Sequence, residues 1–237
     1  MDLIRELPHF SMRILIVAAT HSEITPFAAH LHERSRTGPN VKQYEHAQHQ
    51  IAILTTGIGM VATAAWCSQF LTQDAYDIAL NFGVCGSFDR DIEPARVIHV
   101  TSDLIAELGA EEDEDFLTAQ EMKLLEVDES PLTNGRLVNA SPPKSATLAA
   151  LATVDGITVN TAHGNERSIA AVVSRFHPQV ESMEGAAFMY ACIIHRVPFA
   201  QIRAVSNFVE KRNREAWKFI DAIRNLTEAG LRILEEL

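Results

Sequence analysis

Cysteine and the larger aromatics are scarce: the 237 residues include three cysteines, two tryptophans and three tyrosines. Cys67, Cys85 and Cys192 are odd in number, widely spaced and set among apolar neighbours, which argues against a disulfide frame or a cysteine zinc site and for buried, reduced thiols. The pairs His30/His32 and His46/His49 have no cysteine or carboxylate at ligand spacing, so no metal is expected. Long apolar runs are missing too, and nothing approaches the roughly 20 residues that span a bilayer. The first residues carry Asp2 and Glu6 in place of the positive start of a secretory signal, so a cytoplasmic protein is expected. Positive charge is in deficit: 20 Lys and Arg against 31 Asp and Glu give a net charge of −11. Without a clustered basic footprint, broad nucleic-acid binding is excluded and a small-molecule partner is favoured.

What remains is an ordinary globular composition, 47% hydrophobic and 22% charged. The chain is long enough for one large core, and residues 1–237 read as one domain with no repeat or low-complexity linker. Met12 to Ala19 is a continuous apolar run with β-branched residues, a buried and central strand. Ile51 to Thr55 reads as a second strand, followed by Gly57-Ile58-Gly59 and a helix over Met60 to Leu71. Further strands are expected at Ile78 to Phe82, Val97 to Val100, Gly156 to Val159 and Phe199 to Val205. Helices are expected at Ser145 to Leu151, Ser168 to Phe176, Ala186 to His195 and Arg214 to Leu237. Gly83 to Ser87 reads as a loop, and the acidic stretch Glu107 to Asp115 as a solvated loop or helix face that borders a pocket at most. Alternating strands and helices imply an α/β fold, a central mixed β-sheet flanked by helices, with ligands at strand ends.

Gly57-Ile58-Gly59-Met60-Val61-Ala62 loosely fits a dinucleotide fingerprint, but Asp77, the acidic residue at the right distance, precedes the next strand instead of ending it. A nucleotide cofactor is therefore rejected. Three stretches are more specific: Gly57-Ile58-Gly59 opening a helix, Asn81 to Gly86, and Glu181-Ser182-Met183-Glu184-Gly185-Ala186-Ala187 followed by Pro198-Phe199 and Arg203 to Asn207. In this order and spacing the chain resembles the nucleoside phosphorylase and hydrolase superfamily over nearly its whole length. The hydrolase branch of that superfamily includes methylthioadenosine/S-adenosylhomocysteine nucleosidases and futalosine hydrolases. The stretch from Ser206 to Trp217 looks most like the futalosine hydrolases, which cleave futalosine to dehypoxanthine futalosine and hypoxanthine in menaquinone biosynthesis.

The resemblance implies roles residue by residue. Glu184 grips the ribose hydroxyls and Met183 lines the sugar, although alone they read as a helix-start carboxylate and a core methionine. Glu23 activates the attacking water, whereas without the resemblance an exposed helix glutamate is as good a reading. Val84 and Gly86 line the sugar by backbone contact, Ser206 orients Asn207 or the base, and His163 stacks on the purine or is a plain surface-loop residue. Asn207 stands where the methylthioadenosine nucleosidases carry an aspartate that protonates the base. An amide donates hydrogen bonds without giving up a proton, which suits the 6-oxo group of hypoxanthine better than adenine. Phosphorylases of the superfamily bind phosphate with an arginine in the first loop, and Ala18 to Phe27 has no Arg or Lys. Water is then the expected nucleophile, with no metal or organic cofactor. Arg212 and Arg214, at a helix start, are left outside the site. The rivals are a methylthioadenosine/S-adenosylhomocysteine nucleosidase, a phosphorylase, and an inactive nucleoside-binding protein. Family members assemble as dimers or larger, so a homo-oligomer is expected.

Overall fold

A strand that is apolar at every position must be covered on both faces, and the first strand shows how. Ile14 to Ala18 are each 0% exposed. Ile14 and Ile16 point into one core cluster with Phe27, Leu226 and Ile233, and Leu15 and Val17 point into another with Cys67, Leu71 and Phe188, as the two-residue alternation of a strand requires. The structure is a computed structural model that describes residues 12–36, 38 and 40–237. The acidic start read from Asp2 and Glu6 lies outside the described residues.

The chain runs through β1 (Met12–Ala18), α1 (His21–Ala28), β2 (His32–Arg36), β3 (Val41–His46), β4 (His49–Thr55), α2 (Met60–Gln73), β5 (Ile78–Ser87) and β6 (Val97–Asp103). It continues through β7 (Gly109–Glu112), β8 (Asp115–Thr118), β9 (Leu137–Val138), α3 (Ala146–Ala150), β10 (Ala152–Thr158), α4 (Glu166–Phe176), β11 (Val180–Ser182), α5 (Gly185–His195), β12 (Phe199–Phe208) and α6 (Phe219–Glu235). The large sheet has the order β11-β10-β6-β12-β5-β1-β4-β3-β2, with β9 on β6. It is mixed: β5 runs parallel to β1 and β12, whereas β12 is antiparallel to β6 and β3 to β4. β11 also pairs antiparallel with β5, Glu181 opposite Gly86, so β5, β12, β6, β10 and β11 close into a ring. The ends of β5, β11 and β12 meet there. The helices α2 and α5 pack together, as do α1, α3 and α6; the two groups cover opposite faces of β1. Among the described residues, no helix is long and apolar enough to cross a membrane.

The mixed α/β architecture expected from the sequence is present, with three local corrections. Gly83 to Ser87 is no loop: it continues β5, paired with β12 from Arg203 opposite Gly83 to Phe208 opposite Ser87. Glycine is needed inside this strand because a Cβ on Gly83 would lie 2.1 Å from Nη1 of the buried Arg203. The acidic stretch forms part of the exposed hairpin β7–β8, solvated as expected but neither loop nor helix. The terminal helix begins at Phe219, not Arg214. Arg214–Ala216 is a single 3-10 turn capped by Asn213, and the Lys218 N–H is donated to the Ser206 carbonyl at 2.8 Å, which pins the chain across the end of β12 before α6 can start.

Candidate active site

A cavity of about 390 Å³ opens where β5, β11 and β12 end. All eight residues picked from the sequence, Glu23, Val84, Gly86, His163, Met183, Glu184, Ser206 and Asn207, line it. They come from segments far apart in the chain, and each is delivered by a nameable local feature.

Glu184 sits at the N-cap of α5 but makes no capping hydrogen bond with its side chain. That duty falls to two hydroxyls, Ser182 Oγ accepting from Gly185 N at 3.2 Å and Thr158 Oγ1 accepting from Ala186 N at 2.7 Å. The Glu184 carboxylate turns instead to the glycine turn before α2, where Gly59 N donates to its Oε1 at 2.9 Å. Gly59 has a φ of 95°, a conformation that favours glycine. Thus the Gly-Ile-Gly turn holds a carboxylate of the protein. Glu184 is 6% exposed, and this desolvation raises its carboxyl above the usual range, opposed by the positive charge of Arg203 and the Gly59 N–H.

Glu23 is 7% exposed, which overturns its reading as a solvated helix glutamate. Its Oε2 accepts from Thr20 N at 2.9 Å, one half of the capping box of α1, and from Thr20 Oγ1 at 2.7 Å. Its Oε1 accepts from Val84 N at 3.1 Å. Val84 therefore reaches the cavity with its N–H already committed, and that group is not on offer to a sugar.

Between Val205 and Asn207 the register of β12 against β5 slips by one residue. Such a bulge re-aims side chains, and here it brings consecutive residues to the cavity. The Ser206 hydroxyl donates to Asn207 Oδ1 at 2.7 Å and Asn207 Nδ2 donates to the Phe208 carbonyl at 2.9 Å. The amide orientation is thereby set, and the second Nδ2 hydrogen is left for a ligand. Gly86 makes room: a Cβ there would lie 2.7 Å from Val209 and 3.6 Å from Asn207 Nδ2.

His163 is not a free surface residue. Glu181 takes its backbone N–H at 3.0 Å and sits 2.6 Å from Nδ1, and Phe88 meets the ring edge-on at 6.3 Å. The loop carrying His163 is tied down further by Glu107, which accepts from Asn160 N at 2.9 Å and Nδ2 at 3.0 Å. So the acidic stretch supports the pocket from behind without lining it. The cavity thus joins three buried carboxylates, Glu181, which is engaged by His163, together with Glu23 and Glu184, with an oriented amide donor and a fixed imidazole, a set suited to holding hydroxyls and a heteroaromatic ring while activating water.

Residues 13–237 match the phosphorylase superfamily. The chain belongs to that superfamily. A futalosine hydrolase of Streptomyces coelicolor is 29% identical over 75% of this chain and 75% of its own length. A futalosine hydrolase of Thermus thermophilus is 28% identical over 77% and 80%. Among solved structures, a 5′-methylthioadenosine/S-adenosylhomocysteine nucleosidase of Colwellia psychrerythraea in complex with adenine has a TM-score of 0.78 at 20% identity, covering 98% of each chain. Futalosine hydrolase of Helicobacter pylori has a TM-score of 0.75 at 16% identity, covering 95% of this chain and 98% of that one. At such identities the structures speak for the fold alone, here that of the phosphorylase superfamily.

Sequence reasoning passed over several groups of this superfamily member. Glu181 belongs to the quoted motif, yet its hold on His163 depends on β11 lying against β5. Ile58, Phe208, Trp217 and Phe219 add apolar wall to the cavity, and Arg212, set aside from the sequence, also lines it, with its guanidinium 5.5 Å from the Trp217 ring centre. Arg214 is not among the lining residues. Arg203, 0% exposed, is a buried cation that no surface-based rule would have placed beside the glutamates.

Proposed function

We propose that the chain hydrolyses the N-glycosidic bond of futalosine, giving dehypoxanthine futalosine and hypoxanthine, a step of menaquinone synthesis. The observation that carries this reading is the amide of Asn207, locked by Ser206 and Phe208 in one cavity with Glu23 and Glu184. The futalosine hydrolases among the relatives support the choice of nucleoside.

In this mechanism Glu184 accepts hydrogen bonds from the ribose hydroxyls and fixes the sugar. As the bond from C1′ to the base loosens, positive charge grows on the sugar between two carboxylates, which stabilise it. Glu23 takes a proton from water while the water oxygen bonds to C1′. The bonding pair leaves with hypoxanthine, whose N7 accepts from Asn207 Nδ2 with O6 close to the same NH₂, and a proton from solvent completes the base. His163 stacks on the purine, and Met183 and Gly86 border the sugar. No Arg or Lys falls within residues 18–27, which supports water over phosphate as nucleophile.

The test is release of hypoxanthine from futalosine by the purified protein, with and without phosphate and beside methylthioadenosine. Release that ignores phosphate is the expected result. Adenine release from methylthioadenosine alone sinks the choice of base, a strict need for phosphate sinks the choice of nucleophile, and tight binding without turnover makes the chain a nucleoside-binding protein. The same reading includes a homo-oligomer, supported by Val61 on α2, 83% exposed, with Ile194 and Tyr190 exposed on the adjoining α5. A monomer mass by light scattering at micromolar concentration would remove it.

A further inference from the structure

Beneath the cavity lies a polar chain that the reaction itself does not call for. Arg203 and Gln201 are 0% exposed and Asp103 is 1% exposed, and none of the three lines the cavity. Arg203 Nε donates to Gln201 Oε1 at 3.1 Å, and Gln201 Nε2 donates to Asp103 Oδ2 at 3.0 Å. Asp103 Oδ1 accepts from Leu104 N at 2.8 Å and from Thr158 Oγ1 at 3.0 Å. The Thr158 oxygen in turn accepts from Ala186 N, in the first turn of the helix that Glu184 opens. Nη2 of Arg203 is held by Asn81 Oδ1.

The direction of this chain is forced. A guanidinium offers only donors and a carboxylate only acceptors, so the Gln201 amide can stand one way round. All three hydrogen bonds to Asp103 come from donors, which favours its ionised form against burial, the largest influence, which pushes its carboxyl upward. The fit is tight at both ends. A Cβ on Gly185, next to Glu184, would lie 2.2 Å from Gln201 Oε1 and 2.4 Å from Asp103 Oδ2, and a Cβ on Gly83 would lie 3.0 Å from Glu23 Oε1 as well as against Arg203. Well-packed apolar residues commonly serve stability as well as a buried ionic chain does. Stability alone is therefore a weak reason for these side chains, whereas their two ends bear on one group: Arg203 through its charge and Thr158 through the α5 cap.

We propose that Asp103 and Gln201 are positioning residues for the glycosidic reaction, holding Glu184 from both sides through Arg203 and through the first turn of α5. The proposal rests on reading Glu184 as the ribose-binding group. Asp103→Asn tests it. The new Oδ1 must stay with Leu104 N and Thr158, so Nδ2 faces Gln201, whose amide turns over and sets Nε2 against Arg203 Nε, donor against donor. The expected loss in kcat/KM is about 100-fold, the scale of a reacting group misplaced from a distance, with the acid limb of the pH profile moved to higher pH. Adding Gln201→Glu restores every bond of the chain and the original net charge: one Glu oxygen accepts from Arg203 and the other from Asn Nδ2. The 3.2 Å contact from Gln201 Nε2 to Met189 Sδ turns unfavourable, so about tenfold of the loss is recovered and the acid limb returns. Should Asp103→Asn not fold, Gln201→Met cuts the chain without opposing two donors and is measured the same way.

Titration of the Glu184 carboxyl by ¹³C NMR, assigned with Glu184→Gln, reads the network without any substrate. It is expected to move up in the single variant and back in the double. A single variant with the parent's acid limb and Glu184 titration, or a double variant no better than the single, overturns the proposal. If the parent releases no hypoxanthine from futalosine, the substrate reading falls by itself, and the NMR comparison still decides the role of Asp103 and Gln201.

Discussion

Glu23 and Glu184 face one cavity and are held in opposite ways. Glu23 is fixed mainly by its own neighbourhood: Thr20 supplies two donors, and the bond from Thr20 N is part of the capping box that starts α1. Glu184 is fixed from afar, by Gly59 N and the charge of Arg203, while other side chains cap its helix. One carboxylate is part of what makes its helix form. The other is a desolvated charge that the fold carries without needing it. The difference separates a residue that folding would retain anyway from one retained by its chemistry.

The comparison breaks most directly at Glu184. Glu184→Gln keeps an acceptor for Gly59 N and removes the charge that holds and stabilises the sugar, so kcat/KM for hypoxanthine release is expected to fall on the order of 10³-fold. The melting temperature is expected to stay level or rise, since a buried carboxylate has been relieved. Glu23→Gln comes next, with a loss on the order of 10²-fold from the missing base. Here stability falls too, by about 1 kcal/mol, because an amide that still accepts from Thr20 must point Nε2 at Val84 N, donor to donor. Equal changes in melting temperature for the two variants would refute the distinction.

How much could be read in advance follows the same division between local and distant. The apolar run of β1, the helix after Gly59 and the Met183-Glu184-Gly185 stretch were legible, because their signals are local patterns or a resemblance carried by contiguous residues. The eight residues named from the sequence all line the cavity, although Arg212 and the apolar wall of Ile58, Phe208, Trp217 and Phe219 were not among them. What escaped depends on partners far along the chain. Gly83 to Ser87 reads as a loop until β12 is laid beside it with Arg203 filling the space over Gly83. The hydrophobic spacing of α6 extends back to Trp217, and only the bond from Lys218 N to Ser206 explains the later start. Gln201 and Asp103 are 98 positions apart, and no pattern in either neighbourhood announces that they touch.

A smaller effect sharpens the account of the base. Asn207→Asp keeps an acceptor for the Ser206 hydroxyl but replaces Nδ2 by an oxygen facing both Phe208 O and the ring nitrogen. Only the protonated carboxyl can then donate. Hypoxanthine release is expected to fall roughly tenfold near neutral pH, the penalty of leaving polar groups mispaired, and to recover as pH is lowered. A variant with the parent's rate and pH dependence would show that Asn207 does not donate to the base.

The smallest effect concerns stability against pH, where Glu184 sets stability and activity against each other. Burial raises the Glu184 carboxyl above its ordinary value of 4.5. Between that value and the raised one, the folded chain binds more protons than the unfolded chain, so this group makes stability fall as pH rises through the window. Activity runs the other way, because gripping the ribose hydroxyls requires the ionised form. Denaturant midpoints measured across this pH range should therefore show a downward contribution with rising pH in the parent that Glu184→Gln lacks, while kcat/KM of the parent climbs over the same range. A slope that survives Glu184→Gln would place the titrating group elsewhere and remove the claim that the fold bears this charge for its chemistry alone.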